Sequence, residues 1–255
     1  LLLIGLIKSR MVTFTPQGRM GNYMMELFTT FAYAKKHSLE FSAPSHTTSD
    51  YHCPIYCRHL INPNYGRALQ TIRIDEKQHN YYELPFEEEW RNFNILLTGY
   101  FQSERYFVDY REDILRAVGY PWVLNEGAVA VHNRRGDYLV LQDKHPYYGE
   151  DWIEKAMGFF PGYKFRFFSD EIAWAKEKFG HRSDCSFSEG KGIEEDLVEI
   201  SQCEHHINSS STYSWVGAWM NRNPNKKIIT PALWFNPGWG SLDVSDIVPE
   251  NWIKL

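Results

Sequence analysis

The chain has 255 residues, enough for one large domain or two lobes of ordinary size. Its formal charge is −5, which excludes a general nucleic-acid binder carrying a basic excess, so any anion must be held by a few aimed groups. Aromatic residues make up 16%, with 9 Trp and 16 Tyr, and these serve equally as core or as platforms for sugars and bases.

"LLLIGLI" at the start is too short to cross a bilayer. It reads as a first strand, or as the remnant of a signal or anchor; with no initiator Met, an upstream region is expected to have been cut away or processed. The expected location is the cytoplasm, or a soluble domain excised from a longer or membrane-anchored protein. "MVTFTPQ" (Met11 to Gln17) reads as a strand and "GRMGN" (Gly18 to Asn22) as a glycine-bearing turn containing Gly21. A helix follows, with Met24, Leu27, Phe28 and Phe31 at helical spacing. Lys35, Lys36 and His37 fill its last turn, where the negative end of the dipole favours cations. Strand, tight turn and helix together open an α/β unit.

Residues 44 to 91 are poorly periodic and read as loops and short elements. Within them "YHCPIYCRH" groups His52, Cys53, Cys57 and His59, but the second half of a zinc pattern is missing, so no metal site is expected. Either free thiols or one local disulfide fits Cys53 and Cys57. "NILLTGYF" is a buried strand, and Ser103 is placed to cap a helix running to Gly119. "YPWVLNEG" reads as a linker, giving two expected domains, 1–120 and 121–255.

From residue 127 short apolar strands alternate with helices: "AVAVH", "KFRFF", "DCSF", "EHHIN" and "KKIIT" are the strands. That alternation predicts a parallel, doubly wound sheet. Ligands in such sheets bind beyond the carboxyl ends of the strands. There lie His132, Asn133, Arg134, Arg135, Gly136 and Asp137; then Ser169 and Asp170; then Ser209, Ser210, Ser211 and Thr212 ahead of a helix. Arginine forks and a hydroxyl-capped helix N-terminus both suit phosphate oxygens. Each also has a plain structural use, as an ion pair or an N-cap. Arg-Gly-Asp at 135–137 could also be an adhesion tripeptide, though a buried strand precedes it. No Asp-x-Asp occurs, so a diphosphate is expected to be held by arginines without a metal.

Five segments, in order, then carry a resemblance. "GRMGNYMMELFTTFAYAKKH", "LLTGYFQSERYF", "VHNRRGDY", "FFSDEIAWAKEKF" and "DLVEISQCEHHINSSSTYSWVGAWMN" are similar to the conserved stretches of the α1,2-fucosyltransferases. The resemblance implies an α/β glycosyltransferase-B fold, with two Rossmann-like lobes, an acceptor-side N-terminal lobe and a C-terminal donor lobe. It implies the inverting transfer of L-fucose from GDP-L-fucose to a galactoside, at its 2-hydroxyl. It extends to the core and protein O-fucosyltransferases, which share the arrangement. It puts the diphosphate on Arg134, with Arg135 beside it, and makes His132 and Asp196 candidates for the guanosine end. Gly18, Gly21 and Asn22 form a turn facing the cleft, where Asn22 could hydrogen-bond sugar or acceptor. For the general base, Asp143 is preferred over Asp137, with Glu26 and Asp170 as weaker options. The chain departs from the family pattern at Val216, usually Trp, at Asn133, usually Val or Ile, and at Tyr23, commonly Gln. Another GDP- or UDP-sugar, or a non-catalytic glycan binder, are the alternatives.

Overall fold

A computed structural model of the chain describes residues 10–44, 54–62, 70–240 and 242–255. The chain divides into two compact units, Leu1–Gly119 and Tyr120–Leu255. The opening apolar run and Cys53 lie outside the described residues, and with Cys53 goes the choice between free thiols and a local disulfide. Cys57 itself is buried in a short 3-10 helix.

The N-terminal unit is built on β1 (Met11–Phe14), α1 (Met20–Lys36), β2 (Glu40–Phe41), β3 (Thr71–Asp75), β4 (Asn94–Thr98) and α2 (Arg111–Val118). Its four strands pair in parallel in the order β2-β1-β4-β3. All of β1 is buried, as expected of a parallel strand covered on both faces. β3, five residues long, is one of the short elements expected between residues 44 and 91. Its sequence, "TIRID", alternates apolar and polar, over too short a run to set it apart. Two expected helix boundaries move. α1 starts at Met20, so Gly21 and Asn22 lie inside its first turn, not in the preceding loop. Ser103 caps a 3-10 turn, Glu104–Tyr106, and α2 starts only at Arg111 before closing on left-handed Gly119.

The C-terminal unit contains β5 (Asn125–Asn133), α3 (Glu150–Met157), β6 (Lys164–Ser169), α4 (Ile172–Phe179), β7 (Cys185–Phe187), α5 (Ile193–Gln202), β8 (Cys203–Ile207), α6 (Thr212–Met220), β9 (Ile228–Thr230) and β10 (Ile253–Lys254). All pairings are parallel, in the order β10-β9-β8-β5-β6-β7. β5 reaches back to Asn125, into the expected linker, and a break in its pairing with β8 falls between Asn125 and Val129. Gly127, with φ +74°, sits in that break.

The two faces of this sheet are read off β5. Val129 and Val131 join Ile207, Ile229, Phe165 and Phe167 under α3 and α4. Ala128 and Ala130 pack with Phe168, Ile200 and Cys203 instead. Strand alternation puts His132 on the alanine face. From β5 the chain builds outward through β6 and β7, then returns to place β8 on the other side of β5. The β5/β8 boundary is therefore a switch point, where an open α/β sheet leaves a crevice at its carboxyl edge.

Candidate functional site

At this switch point the β5 and β8 ends are tied together. His132 Nδ1 lies 2.8 Å from Ser209 Oγ, and the His132 ring packs against Tyr213. His132 is buried, and burial pulls its pKa down to about 4, so it stays a neutral imidazole near pH 7.

Beyond it, Arg134 is held between two carboxylates. Its Nη2 donates to Asp137 Oδ1 at 2.6 Å, and its Nη1 faces Asp170 Oδ2 at 2.7 Å. Asp170 Oδ1 also accepts the Arg135 backbone N–H at 2.9 Å. Gly136 makes this approach possible, because a Cβ there would sit 2.5 Å from Asp170 Oδ2. Arg135 turns the other way. Its Nε donates to Glu171 at 2.9 Å, its Nη1 bonds the Tyr147 hydroxyl, and its guanidinium lies 4.1 Å from the Trp174 ring centre. The two arginines thus separate: Arg134 stays at the strand end, and Arg135 is anchored in an aromatic and acidic socket. Arg-Gly-Asp is likewise fixed in these contacts and not displayed on a free loop.

The hydroxyl cluster lies at the head of α6. Ser211 is the N-cap, its side chain accepting from Tyr213 N–H at 3.4 Å. Ser210 is buried, its carbonyl takes the Tyr138 hydroxyl at 2.9 Å, and its Oγ has no hydrogen-bond partner. Thr212 is the first residue of the helix. Ser169 Oγ accepts the Glu171 N–H at 3.0 Å, closing the turn that presents Asp170. Asp196 sits in the first turn of α5, where burial raises its pKa and Ser188 Oγ donates to it at 2.6 Å. Tyr213 links this end to His132, since its hydroxyl donates to the Ile193 carbonyl at 2.6 Å. His132, Arg134, Asp137, Asp170 and the serines are thereby joined, and Asp196 is reached through Tyr213.

Asp143 is not joined to them. It is exposed and makes no ion pair among the described residues. What stands near it is His145, which sequence reasoning passed over. Its ring stacks on Tyr138 with centroids 4.2 Å apart and packs against Phe235. Burial lowers its pKa, opposed by the charges of Asp137 and Asp143. Tyr138 in turn lies beneath the Arg134 guanidinium, 5.8 Å away. Tyr138, His145, Tyr147, Trp174 and Tyr213 were all missed as site residues; their aromatic character gave no signal in a chain this rich in aromatics.

The N-terminal unit gathers a different set at its strand ends. Gly18 has φ +64°, a conformation that favours glycine, and a Cβ there would sit 2.1 Å from Asn22 Nδ2, so Asn22 folds back over it. Asn22 Oδ1 accepts from Gln102 Nε2 at 2.9 Å. Glu26, wholly buried, takes the Gln17 N–H at 3.1 Å. Desolvation, with a smaller push from Glu76, raises its pKa to about 10. A carboxyl held protonated at neutral pH cannot act as a base, so Glu26 drops out of that role. Glu76 accepts the N–H groups of Tyr100 and Phe101, each at 2.8 Å, and so holds Phe101 at φ +48°.

Among the described residues, no three His, Cys, Asp or Glu side chains come together as a metal site, and no helix is long and apolar enough to cross a membrane.

The chain is 32% identical over 185 residues to an alpha-1,2-colitosyltransferase of Escherichia coli, covering 64% of this chain and 63% of that one. It therefore spans under two thirds of that relative's length. It is 27% identical over 287 residues to a galactoside alpha-(1,2)-fucosyltransferase 2 of Hylobates lar, covering 94% of this chain and 81% of that one. Its fold is similar to that of the POFUT1 apo-form, with a TM-score of 0.51 at 10% identity over 89% of this chain and 99% of that one. This agrees with an α/β fold of two Rossmann-like lobes, the glycosyltransferase-B class. The model of glycosyl transferase family 11 matches residues 4–255, and the chain belongs to that family.

Proposed function

We propose that the protein transfers L-fucose from GDP-L-fucose to the 2-hydroxyl of a galactoside, with inversion and without a metal. The observation that carries this reading is Arg134, bracketed by Asp137 and Asp170 at the β5/β8 switch point beside the α6 N-terminus. A guanidinium has five N–H groups, and two ion pairs leave others to meet phosphate oxygens. The bracketing carboxylates orient the fork and keep it in place before the donor arrives. His132, Tyr213 and Asp196 form the guanosine end, and Ser210, Ser211 and Thr212 the diphosphate end.

In the reaction, the galactose 2-oxygen forms a bond to the fucose anomeric carbon as the bond from that carbon to GDP breaks. The leaving diphosphate gains charge, which Arg134 and the α6 N–H groups stabilise. The acceptor proton goes to a base. Asp143 was preferred from the sequence, but its exposure and lack of ties to Arg134 favour His145, a neutral imidazole beside Asp137. His145→Gln should remove the acidic limb of the pH–rate profile, whereas Asp143→Asn should leave it in place. The reverse result would return the role to Asp143.

The decisive experiment is a donor and acceptor panel. Turnover of GDP-fucose with a β-galactoside, unaffected by EDTA, is expected; no such turnover, or a strict divalent-metal requirement, would sink the proposal. A second reading has colitose as the transferred sugar, favoured by the 32% identity to the colitosyltransferase. GDP-colitose in the same panel separates the two. The acceptor-side role of the N-terminal unit and the donor role of the C-terminal unit belong to this proposal. Its partners are GDP-fucose and a galactose-containing glycan, with no nucleic acid.

A further inference from the structure

The N-terminal unit has a cavity away from its strand ends. It is partly open to solvent, encloses about 110 Å³, and runs along the last turns of α1, against the segments around residues 81–84 and 105–110. Asn22 marks the strand-end face of this unit; Lys36 lies about 21 Å further along the same helix, at 1.5 Å per residue. The cavity is therefore distinct from the strand-end cluster of Asn22, Glu26 and Glu76.

Its wall has two kinds of surface. One is aromatic: Tyr81 and Tyr106 lie 4.9 Å apart, and Tyr33 and Tyr110 complete the lining. The other is a set of paired charges. Lys36 bonds one oxygen of Glu83, Tyr81 donates to the other at 2.8 Å, and the Arg105 guanidinium lies 4.3 Å from the Tyr81 ring centre. Asp109 is the second carboxylate of the lining. Thr29 and His37 also line it, and Thr29 Oγ1 and His37 Nε2 are buried without a hydrogen-bond partner.

This composition selects a ligand class. Two cations and two carboxylates cancel, so neither a phosphate nor a polyamine gains from the charge of the wall. Donors and acceptors alternate over a short span, which suits a ligand presenting several hydroxyls. Tyrosine faces offer apolar area with a polar edge, which suits the C–H face of a sugar ring. We infer that this cavity is a second saccharide site, taking a neutral hexose ring of an oligosaccharide independently of the nucleotide-sugar site.

Amide-resolved NMR of the full chain tests this, with lactose and longer galacto-oligosaccharides titrated to on the order of 10 mM, weak affinities being the range expected for one ring. The experiment is run with and without saturating GDP. The expected result is saturable shifts at Thr29, Leu84 and Arg105 that persist with GDP present. Tyr81→Ala and Arg105→Ala should each weaken binding about tenfold, the scale of one lost aromatic or charged contact. Arg105 is exposed, so its variant keeps the test valid if Tyr81→Ala fails to fold. No saccharide shifts at these amides, shifts indifferent to Arg105→Ala, or shifts abolished by GDP would each overturn the inference. The readout needs neither donor nor turnover, so it stands or falls apart from the proposed transfer reaction.

Discussion

The two units solve the same architectural problem in opposite ways. Each has a parallel sheet whose polar residues collect at the strand ends. In the C-terminal unit, charge is kept and paired: Arg134 with Asp137 and Asp170, Arg135 with Glu171. In the N-terminal unit, Glu26 and Glu76 accept backbone N–H groups, and burial raises both pKa values. A buried carboxylate without a cation does better protonated, whereas one beside a guanidinium stays charged. The C-terminal strand ends are thus suited to a charged ligand and the N-terminal ones to a neutral ligand. On the proposed function, these would be the nucleotide-sugar donor and the glycan acceptor.

The sharpest way to break the comparison is at Arg134. Arg134→Ala is expected to lower kcat/KM by about 100- to 1,000-fold, roughly 3–4 kcal/mol of transition-state stabilisation. Arg134→Lys should recover little, because an ammonium cannot span Asp137, Asp170 and a phosphate as a planar fork does. Steady-state kinetics with GDP-fucose and calorimetric GDP binding measure both. Wild-type-like GDP affinity in Arg134→Ala would remove the charged site from the C-terminal unit.

Opposite protonation predicts opposite pH responses. His132 falls to about 4 and His206 to about 3. A lowered histidine is neutral in the folded state while the unfolded chain takes up protons. The stability it supports is therefore present above pH 6.5 and is lost as pH falls toward 4. Glu26 runs the other way. Raised from 4.5 to about 10, it contributes most below pH 4.5, and that contribution declines as pH rises. Glu26→Gln keeps the acceptor for Gln17 N–H and removes the titration, so it should stabilise the chain at pH 7 by up to about 3 kcal/mol. Thermal melts across pH 5–9 test the size. Hydrogen exchange resolves the place: α1 should gain protection in Glu26→Gln, and β5 and β8 should lose it on acidification. A melt in Glu26→Gln identical to wild type at pH 7 would mean that Glu26 is charged in the folded protein.

A smaller effect concerns how α6 is held against α5. A Cβ at Gly217 would stand 2.5 Å from Ile200 Cγ2 and 3.2 Å from its Cβ. Alanine has the better helix propensity, yet here it would overpack a rigid contact. Gly217→Ala is expected to destabilise by about 1–3 kcal/mol, read as a lower denaturation midpoint with an unchanged m-value. A stabilised variant would show that propensity wins and that the helices separate easily.

Much of this was legible in the sequence, for physical reasons that also explain what was not. β5, β6, β8 and β9 could be read because strands covered on both faces are short apolar runs bounded by turns, whereas β7 is an edge strand with Ser186 exposed and was read from the alternation of strands with helices. Arg134, Asp170 and Ser211 could be read because a parallel sheet sends its strand ends to one edge. β3 was not singled out among the short elements expected there because the alternation of "TIRID" covers only five residues, and its strand character comes from pairing with β4. The start of α1 was misplaced because two glycines suggested a turn, when only Gly18 needs the left-handed region. The separation of Arg134 from Arg135 was invisible, because it depends on Tyr147, Trp174 and Glu171 arriving from other segments. His145 was hidden for the same reason: nothing local marks it, and its setting is made by Tyr138 and Phe235.

The finest test separates two neighbouring serines within the charged site. Ser211 Oγ is already engaged as the α6 cap, and at 3.4 Å the bond is long. Ser210 Oγ is buried with no partner. A capping hydroxyl lost to alanine costs about 0.5–1 kcal/mol in stability. An unsatisfied buried hydroxyl costs the folded state its lost hydration, so removing it is neutral or mildly stabilising. If the diphosphate takes up spare hydrogen-bonding capacity, the two variants should diverge in opposite senses. Ser211→Ala should lower stability and change GDP affinity little. Ser210→Ala should leave stability unchanged or raised and weaken GDP binding by about ten- to a hundredfold, the worth of one hydrogen bond to a charged group. Equal losses of GDP affinity in both would make the α6 N-terminus a shared anchor. A Ser210→Ala variant that is less stable, with GDP affinity intact, would show that the hydroxyl serves the fold alone.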